Sequence, residues 1–454
     1  MLELSQIAAL AIFVVMFIAI VSGKIHRYIP ALVGAALVFI IVFIGVMKSP
    51  AAILSVLNLE QLGQLRFWIP GQEHIESHGV NWQTIIFIGG MMVMVEGMAE
   101  SGFFRWLCLY VARLVHYKPV LILIAFMLLS GFLAMFIDSI TVLLFLATVT
   151  IELARLLKFD PVPVIVAEIF AANVGGSATM SGDPPNIIIG TAFGYTFTDF
   201  LVNTGPIAWL GMLVTLAYFW FIFRKILTSP QQDDSDSSHN RYPEPGEAIV
   251  SPALFRINTG IFILVVALIV THAETGLSMA LIGCIAAFLA LTAAANKALH
   301  IVRRVDWRTL LFFVGLFITV GGLEETGVLR MIAEYIGEVS GGNILLVIPI
   351  IIWISAFASA IVDNIPFAAT MVPVIKQLAL SHGLALPTLS WTLALGTDIG
   401  GNATPIGASA NVVGTAIAEK EGYPIGWGRF LKYALLPMII VVALCWLYLV
   451  VRYA

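Results

Sequence analysis

Two stretches of the sequence concentrate Gly, Pro, Asn and Asp inside otherwise apolar segments. The first is NVGGSATMSGDPPN, from Asn173 to Asn186, and the second is DIGGNATPIGASAN, from Asp398 to Asn411. Gly and Pro at this density do not sustain a helix, because Gly is permissive and Pro lacks an amide donor. Both stretches are therefore expected to break a helix and to leave backbone groups free beside side-chain oxygens, which suits the binding of an ion or a small polar solute.

Two more carboxylates stand at the centres of apolar segments. Asp138 is followed by Ser139, with Thr141 close by, and Asp363 is followed by Asn364. An unpaired carboxylate inside a membrane is costly, so one that persists there is expected to meet an ion, a proton or a donor. Each Asp could instead serve only as the N-cap of the helix that follows it. Both interpretations stay open at this point.

The composition indicates that lipid surrounds most of the chain. Of 454 residues, 60% are hydrophobic and 11% are charged, whereas soluble domains carry about 25% charged residues. The net charge of −4 gives no reason to expect a nucleic-acid partner. The three cysteines are far apart and no HExxH motif occurs, so neither a metal site nor another cofactor is expected.

Apolar runs of membrane-spanning length recur along the chain. A helix needs about 20 apolar residues to cross a hydrocarbon core of roughly 30 Å. Eight runs approach this length, namely 6–22, 29–47, 83–99, 206–226, 254–271, 277–295, 308–323 and 433–451. Two more, 163–190 and 387–418, contain the interrupting motifs. The segments 120–156 and 344–380 each consist of two apolar arms around a central Asp.

The second half of the sequence repeats the first. An offset of 225 residues, the difference between positions 138 and 363, pairs identical residues over a long gapless stretch. The pairs include Trp82/Trp307, Thr84/Thr309, Gly90/Gly315, Glu100/Glu325, Asp138/Asp363, Gly176/Gly401, Thr179/Thr404, Gly182/Gly407 and Asn186/Asn411. The partners of Asp183 and Asp398 are Ala408 and Asn173, so each half carries a carboxylate that the other lacks. The chain is therefore interpreted as a duplication whose halves have specialised.

These features predict an all-α polytopic membrane protein made of two inverted repeats. We expect five crossings, one re-entrant helical hairpin (120–156 or 344–380) and one broken helix (163–190 or 387–418) in each repeat, a recurring plan among transporters. The units are residues 1–228 and 252–454, joined by a polar, flexible cytoplasmic linker at 229–251. Eighteen of the 23 Lys and Arg fall on one side of this layout, which places both termini outside the cell membrane.

Several motifs together resemble a known family. GGSATMSGDPPNIIIG, the tip sequence FIDSITVLLF and the stretch IGGMMVMVEGMAESGFF look like the ion transporter superfamily, in the branch of ArsB-type arsenite permeases, NhaD-type sodium/proton antiporters and the P protein. The resemblance implies a homodimer with a fixed scaffold and a mobile transport domain that moves as an elevator. A cytoplasmic ATPase partner cannot be deduced.

The resemblance also implies a set of binding residues. Carried over to this sequence, the substrate and ion site comprises Asp138, Ser139, Thr141, Asn173, Ser177, Thr179, Asp183, Asn186, Asp363, Asn364, Asp398, Asn402, Thr404 and Asn411. The candidate proton-coupling groups are Asp138, Asp183, Glu168, Asp363 and Asp398, with H⁺ or Na⁺ as the coupling ion.

The expected function is export of arsenite or antimonite in exchange for protons. Arsenite is an uncharged hydroxide at neutral pH, so hydroxyl and amide groups suffice to bind it. The motif region contains no Lys or Arg, which argues against oxyanions. Sodium/proton antiport is the alternative, since Asp and Asn oxygens serve a cation equally well. An intramembrane aspartyl protease is not expected, because the second motif lacks the Gly-Asp pair. A passive channel is a third possibility, and it would differ from a carrier by carrying a current that does not saturate.

Overall fold

The computed structural model describes residues 3–71, 78–228 and 242–453, and all regular secondary structure in these ranges is helical. The α-helices are, in chain order, α1 Leu4–Val21, α2 Tyr28–Leu37, α3 Pro50–Leu57, α4 Leu65–Trp68, α5 Trp82–Ser101, α6 Phe103–Leu114, α7 Pro119–Ala134, α8 Ser139–Leu157, α9 Val162–Gly176, α10 Pro184–Phe193, α11 Phe197–Asn203, α12 Gly205–Thr228, α13 Pro252–Val270, α14 His272–Thr275, α15 Met279–Ala294, α16 Ala298–Arg304, α17 Trp307–Glu325, α18 Val328–Ser340, α19 Ile344–Ile361, α20 Asn364–His382, α21 Leu386–Gly400, α22 Ser409–Lys420 and α23 Trp427–Tyr453. The expectation of an all-helical protein is confirmed.

Ten helices in the described ranges are long and apolar enough to cross a membrane. Eight of them coincide with the uninterrupted runs expected from the sequence, and one of these, α2, continues as a π-helix through Val38–Val46. The other two, α8 and α19, are arms of the expected hairpins. Helix length and composition therefore confirm a multi-pass membrane protein.

Each hairpin turns at its aspartate. Helix α7 ends at Ala134 and α8 begins at Ser139, while α19 ends at Ile361 and α20 begins at Asn364. The two broken helices follow directly, with α9 ending at Gly176 before α10 begins at Pro184, and α21 ending at Gly400 before α22. The first arm of each hairpin packs against the following broken helix, α7 on α9 and α19 on α21.

The helices form two packed groups. In one, α5 packs on α15 and α17 packs on α2, with Gly90 against Gly283 and Gly315 against Ala31 so closely that a Cβ would overlap the neighbouring backbone. The other group contains both hairpins, both broken helices, α12 and α23. The functional residues predicted from the sequence belong to the second group.

The end of the expected linker is held against the first group. Residues 229–241 lie outside the described ranges. From 242 onward, the ring of Tyr242 stacks on Tyr117 with centroids 4.5 Å apart, and the Tyr117 hydroxyl donates to the carbonyl of Pro243 at 2.8 Å. The amide of Val250 donates to the Ser101 carbonyl at 3.2 Å, so this stretch is anchored beside α5 and α6.

Candidate ion and solute site

The two helix breaks touch each other in the protein interior. The Asn173 side-chain amide, at the end of α9, donates to Oδ1 of Asn402 at 3.0 Å and to Oδ1 of Asn411 at 2.9 Å. All three side chains are fully buried. Residues 229 or more positions apart in the chain are thereby joined at one point, as a shared site requires.

Asn186 and Asn411 play the same role in their respective breaks. The side-chain amide of Asn186 donates to the carbonyls of Gly176 and Thr179, both at 3.1 Å. That of Asn411 donates to Gly401 and Thr404 at 2.8 and 2.7 Å. Because each amide nitrogen already has two carbonyl acceptors, the orientation of each amide is fixed. The side-chain oxygens must then point away from the break, and in this position Oδ1 of Asn411 accepts the hydrogen bond from Asn173.

The breaks are also tied to the hairpins by matched contacts. The Thr179 hydroxyl donates to the Met135 carbonyl at 2.6 Å, and the Thr404 hydroxyl donates to the Ala360 carbonyl at 2.5 Å. A Cβ on Gly182 would lie 2.3 Å from the carbonyl oxygen of Gly176. Glycine is thus required for the chain to fold back on itself at this point.

Asp183 joins the tips of both hairpins. Its Oδ1 accepts from the hydroxyl of Ser139 at 2.7 Å, and its Oδ2 accepts from the amide of Asn364 at 2.6 Å. Asp183 is 2% exposed, so these two donors provide the stabilisation that a buried carboxylate needs. One carboxylate from the first break therefore holds the ends of two hairpins together.

Asp398 is buried without a donor. It is 0% exposed and lies near enough to Asn186 and Asp183 to interact with both, but neither of its carboxylate oxygens accepts a hydrogen bond of ordinary length and geometry. The Oδ1 of Asn186 also lacks a donor. The matched residue of the first unit is Asn173, whose side-chain nitrogen donates a hydrogen bond to Asn411, whereas an ionised Asp398 has no hydrogen to donate. Three acceptor oxygens without donors are collected here.

The two hairpin aspartates differ in their surroundings. Asp138 accepts from the backbone amide of Thr141 at 3.0 Å and from its hydroxyl at 2.8 Å, so both oxygens serve the N-cap of α8. Asp363 caps α20 through Oδ1, which accepts from the amide of Ile365 at 3.2 Å. Its Oδ2 is 2.6 Å from a guanidinium nitrogen of Arg27, which reaches it from the segment between α1 and α2.

The comparisons with known proteins agree with this architecture. The family description of CitMHS, "Citrate transporter", matches residues 17–396 of the chain. The chain belongs to this family. The membership confirms the resemblance to the ion transporter superfamily in the branch that includes the P protein.

Relatives of this CitMHS chain are named as membrane proteins and transporters. A "46 kDa membrane protein" of Mycobacterium leprae is 32% identical, with 99% of each chain covered, and an uncharacterized transporter of Mycobacterium tuberculosis is equally similar over 99% of each chain. The human P protein is 30% identical over 90% of this chain and 58% of its own length.

Solved structures share the fold of the CitMHS chain. The YdaH transporter of Alcanivorax borkumensis superposes with a TM-score of 0.55 at 12% identity, covering 81% of this chain and 84% of that one. The MtrF structure of Neisseria gonorrhoeae, whose title describes a class of antimetabolite efflux pumps, gives a TM-score of 0.51 at 14% identity, covering 82% and 80%.

Arg27 reaches the candidate site of this CitMHS protein from outside the motif segments, a contact that the sequence did not predict. The motif segments themselves contain no Lys or Arg, but Arg27 supplies a cationic side chain that contacts Asp363 and Ser409. The contact joins residues 336 positions apart. No local pattern in the sequence pointed to this contact.

The remaining predicted residues lie outside the central cluster. The Ser177 hydroxyl donates to the Val174 carbonyl within its own helix end at 2.8 Å. Glu168 is fully buried and contacts the Thr150 hydroxyl at 2.5 Å, while its Oε2 has no partner. Glu168 therefore lies in the packing of α8 on α9 and not among Asp183, Asp398 and their asparagines.

Two cavities approach the broken helices. One of about 470 Å³ is lined by Arg27, Asp363 and Ser409, together with Ile406 of the second break. The other, of about 300 Å³, is lined by Thr191, Tyr195 and His272, together with Met180 of the first break. Each break of the CitMHS chain thus forms part of the wall of a separate cavity.

Proposed function

We propose that this protein is an ion-coupled secondary carrier that exchanges a monovalent cation, Na⁺ in the first instance, for protons across the cell membrane. The observation that carries the proposal is the buried, donor-free carboxylate of Asp398. A buried charge without a partner is strongly unfavourable, so a proton or a metal cation must occupy the space beside it.

Comparison of the two units supports this assignment. Asn173 fills its position with an uncharged amide, whose nitrogen donates to Asn402 and Asn411 and whose Oδ1 has no donor. Asp398 stands at the matched position and brings only acceptors towards Asn186. The first of these matched positions therefore holds a neutral amide, whereas the second holds a carboxylate that needs a proton or a cation beside it.

Asp183 supplies the second charge of the proposed site. It lies beside Asp398, and two neighbouring carboxylates repel each other unless a cation or a proton lies between them. Asp183 also holds Ser139 and Asn364, so a change in the charge at this pair reaches both hairpin tips directly. This link supplies the coupling between ion binding and hairpin position that a carrier needs.

The large-scale features remain part of the proposal. The second unit is inverted relative to the first, and α2, α5, α15 and α17 form a fixed scaffold past which the hairpins and broken helices move as an elevator. The proposed carrier is a homodimer with both termini outside. The division of the helices into two packed groups supports the separation of scaffold and moving helices, as do the separate cavities beside the two breaks.

A flux experiment tests the proposed function. Purified protein in proteoliposomes that contain a pH-sensitive dye should move protons when an Na⁺ gradient is imposed, with a rate that saturates as Na⁺ is raised. The Asp398→Asn variant should lose this movement, whereas Glu152→Gln, which alters an exposed pair with Arg105, should retain it. Absence of Na⁺-dependent proton movement in the wild type would refute the proposal, and an ionic current that does not saturate would indicate a channel.

Export of arsenite or antimonite in exchange for protons is the second candidate. It is favoured by the convergence of uncharged donors, the Ser139 hydroxyl and the Asn364 amide, on one buried carboxylate. A neutral hydroxide could replace these donors without a compensating cation. Proton-driven arsenite flux in the same vesicles, insensitive to Na⁺, would support this candidate over the first.

Citrate should also be tested in the proteoliposome flux assay, because the family is described as citrate transporters. A tricarboxylate would have to bind near Asp183, Asp398 and the aspartates of both hairpin tips. Arg27 could attract it, but this guanidinium already has Asp363 as its counter-ion. The charges of the site therefore favour a cation over an organic anion.

An enzymatic role has no support from the site. The proximity of Asp183 and Asp398 invites comparison with an aspartyl protease. Both oxygens of Asp183 are, however, engaged by side chains, and both residues are buried away from any peptide. Relatives are named transporters, in agreement with a carrier.

A further inference from the structure

Arg27 makes an unusually complete set of contacts for a residue in a short connecting segment. One guanidinium nitrogen is 2.6 Å from Asp363 Oδ2 and 2.7 Å from the Ser409 hydroxyl. The other donates to the Thr309 hydroxyl at 3.1 Å, and the group lies 4.9 Å from the ring centroid of Phe312. Arg27 thus connects α17 in one helix group with a hairpin tip and a broken helix in the other.

The oxygens that Arg27 contacts would form a cation-binding position by themselves. Oδ2 of Asp363 accepts from the Ser409 hydroxyl at 2.8 Å, so a carboxylate and a hydroxyl oxygen already lie side by side. They belong to the tip of the second hairpin and to the first residue of α22. The guanidinium nitrogen lies where a bound metal cation would contact both oxygens.

Other charged groups around the cavity are engaged elsewhere. Asp306 uses one oxygen for the Thr309 amide at 3.2 Å and the other for its hydroxyl at 2.6 Å. Arg308 is bonded to the His26 ring at 3.2 Å. Asp363 therefore depends on Arg27 for its neutralisation, in a cavity where the Arg27 side chain is 26% exposed and that of Asp363 is 11% exposed.

The first unit has no equivalent arrangement. Both oxygens of Asp138 are taken by Thr141, and the position that matches Ser409 is Pro184, which has no hydroxyl. Of the two hairpin tips, the second alone presents a carboxylate oxygen to an arginine. The halves have therefore diverged here as they have at Asp183 and Asp398.

We propose that Arg27 is a built-in competitor that occupies a second cation-binding position, formed by Asp363 and Ser409, in the conformation described here. This inference rests on the proposed cation exchange. A monovalent inorganic cation that arrives through the cavity of about 470 Å³ displaces the guanidinium. Arg27 links the second hairpin tip to Thr309 of α17, so its displacement breaks this link. The hairpins and broken helices then become free to move only when a cation has replaced Arg27.

The test is the concentration dependence of Na⁺-driven proton movement in proteoliposomes. Arg27→Gln removes the competing charge and should lower the KM for Na⁺ about tenfold, the change that corresponds to about 1.4 kcal/mol of binding free energy. Arg27→Lys keeps the charge and should remain close to the wild type. Arg105→Gln removes an arginine from an exposed pair with Glu152 and should leave the KM unchanged.

The outcomes separate this inference from the proposed function. A wild type that moves protons with Na⁺, combined with an unchanged or raised KM in Arg27→Gln, would overturn the inference alone. A wild type without such movement would remove both. If Arg27→Gln does not fold, Thr309→Val removes the acceptor of the second guanidinium nitrogen and should lower the KM by a smaller factor. An unchanged or raised KM in that variant would equally overturn the inference.

Discussion

At the scale of single residues, the difference between Asn173 and Asp398 explains most of the proposed chemistry. The two positions correspond in the repeat, and their side chains have the same shape. The side-chain nitrogen of Asn173 donates to two acceptor oxygens. Asp398 has a carboxylate oxygen in place of that nitrogen, and this oxygen can only accept, as can the nearby Oδ1 of Asn186. Replacing one nitrogen by an oxygen turns an ordinary packing contact into a site that needs a cation or a proton.

Asp398→Asn should therefore stabilise the protein. The new amide can donate to Asn186 as Asn173 donates to Asn411, and it removes a buried carboxylate without donors. The expected gain is about 1 kcal/mol, visible as a rise of a few degrees in the thermal midpoint of the detergent-solubilised protein without Na⁺. A lower midpoint than that of the wild type would show that the Asp398 carboxylate has partners of its own.

Asp138 should behave as a helix cap. Because Thr141 uses both of its oxygens, Asp138→Ala should lower the free energy of unfolding by about 0.5–2 kcal/mol, and Asp138→Ser should recover most of that loss. Thermal melts of the two variants and their Na⁺-driven proton flux give the comparison. Loss of flux in a fully stable Asp138→Ser protein would instead assign ion binding to this carboxylate.

At the scale of elements, the fold brings two broken helices and two hairpins together through backbone contacts that tolerate no side chain. A Cβ on Gly407 would lie 2.4 Å from the Gly401 carbonyl oxygen and 2.8 Å from that of Ser359. Gly182 meets the equivalent backbone in the first unit. These contacts hold each break against its hairpin, and the backbone packing thereby fixes the positions of the side chains in the site.

Gly407→Ala should therefore damage the protein. Its Cβ meets backbone carbonyls that cannot rotate away, and overpacking of this kind costs about 1–3 kcal/mol. Gly260→Ala is the matched control, since a Cβ at that position in α13 meets nothing within 4 Å and alanine favours the helix. Thermal midpoints should fall for the first variant and hold or rise for the second, and equal behaviour of the two would contradict the packing argument.

The element pattern could be predicted from sequence because Gly, Pro and Asn act locally. The density of these residues at 173–186 and 398–411 indicated the breaks, and Asp138 and Asp363 marked the turns of the hairpins. The contact of Arg27 with Asp363 depends on tertiary packing between distant segments, and no local pattern encodes it. Hairpin arms of 16–19 residues likewise match membrane crossings in length, so composition alone could not separate the two.

At the scale of the whole molecule, the two matching halves supply the geometry of the site, and the positions at which they differ supply the charges on which the proposed function rests. The repeat places matching breaks in contact, and the matched asparagines and threonines keep the same hydrogen bonds. The unmatched residues Asp183, Asp398 and Arg27 add charges that have no counterpart in the other unit. An inverted arrangement of the units would give each membrane face its own route to one shared centre.

Inversion predicts that matched positions label from opposite sides of the membrane. His78 and Arg303 are exposed and are separated by the repeat offset, 303 minus 78 being 225. With the exposed Cys284 replaced by Ser, a membrane-impermeant maleimide should label His78→Cys in intact cells, and Arg303→Cys only after permeabilisation. Labelling of both from the same side would rule out the inverted layout, and the reverse pattern would reverse the orientation.

The measurement that tests the central claim most directly is the infrared difference spectrum of the reconstituted protein with and without Na⁺. Proton–cation exchange at Asp398 predicts a protonated-carboxyl band that disappears when Na⁺ is added and that is missing from the difference spectrum of Asp398→Asn. A spectrum that Na⁺ leaves unchanged, or an Na⁺-sensitive band that persists in Asp398→Asn, would contradict the account.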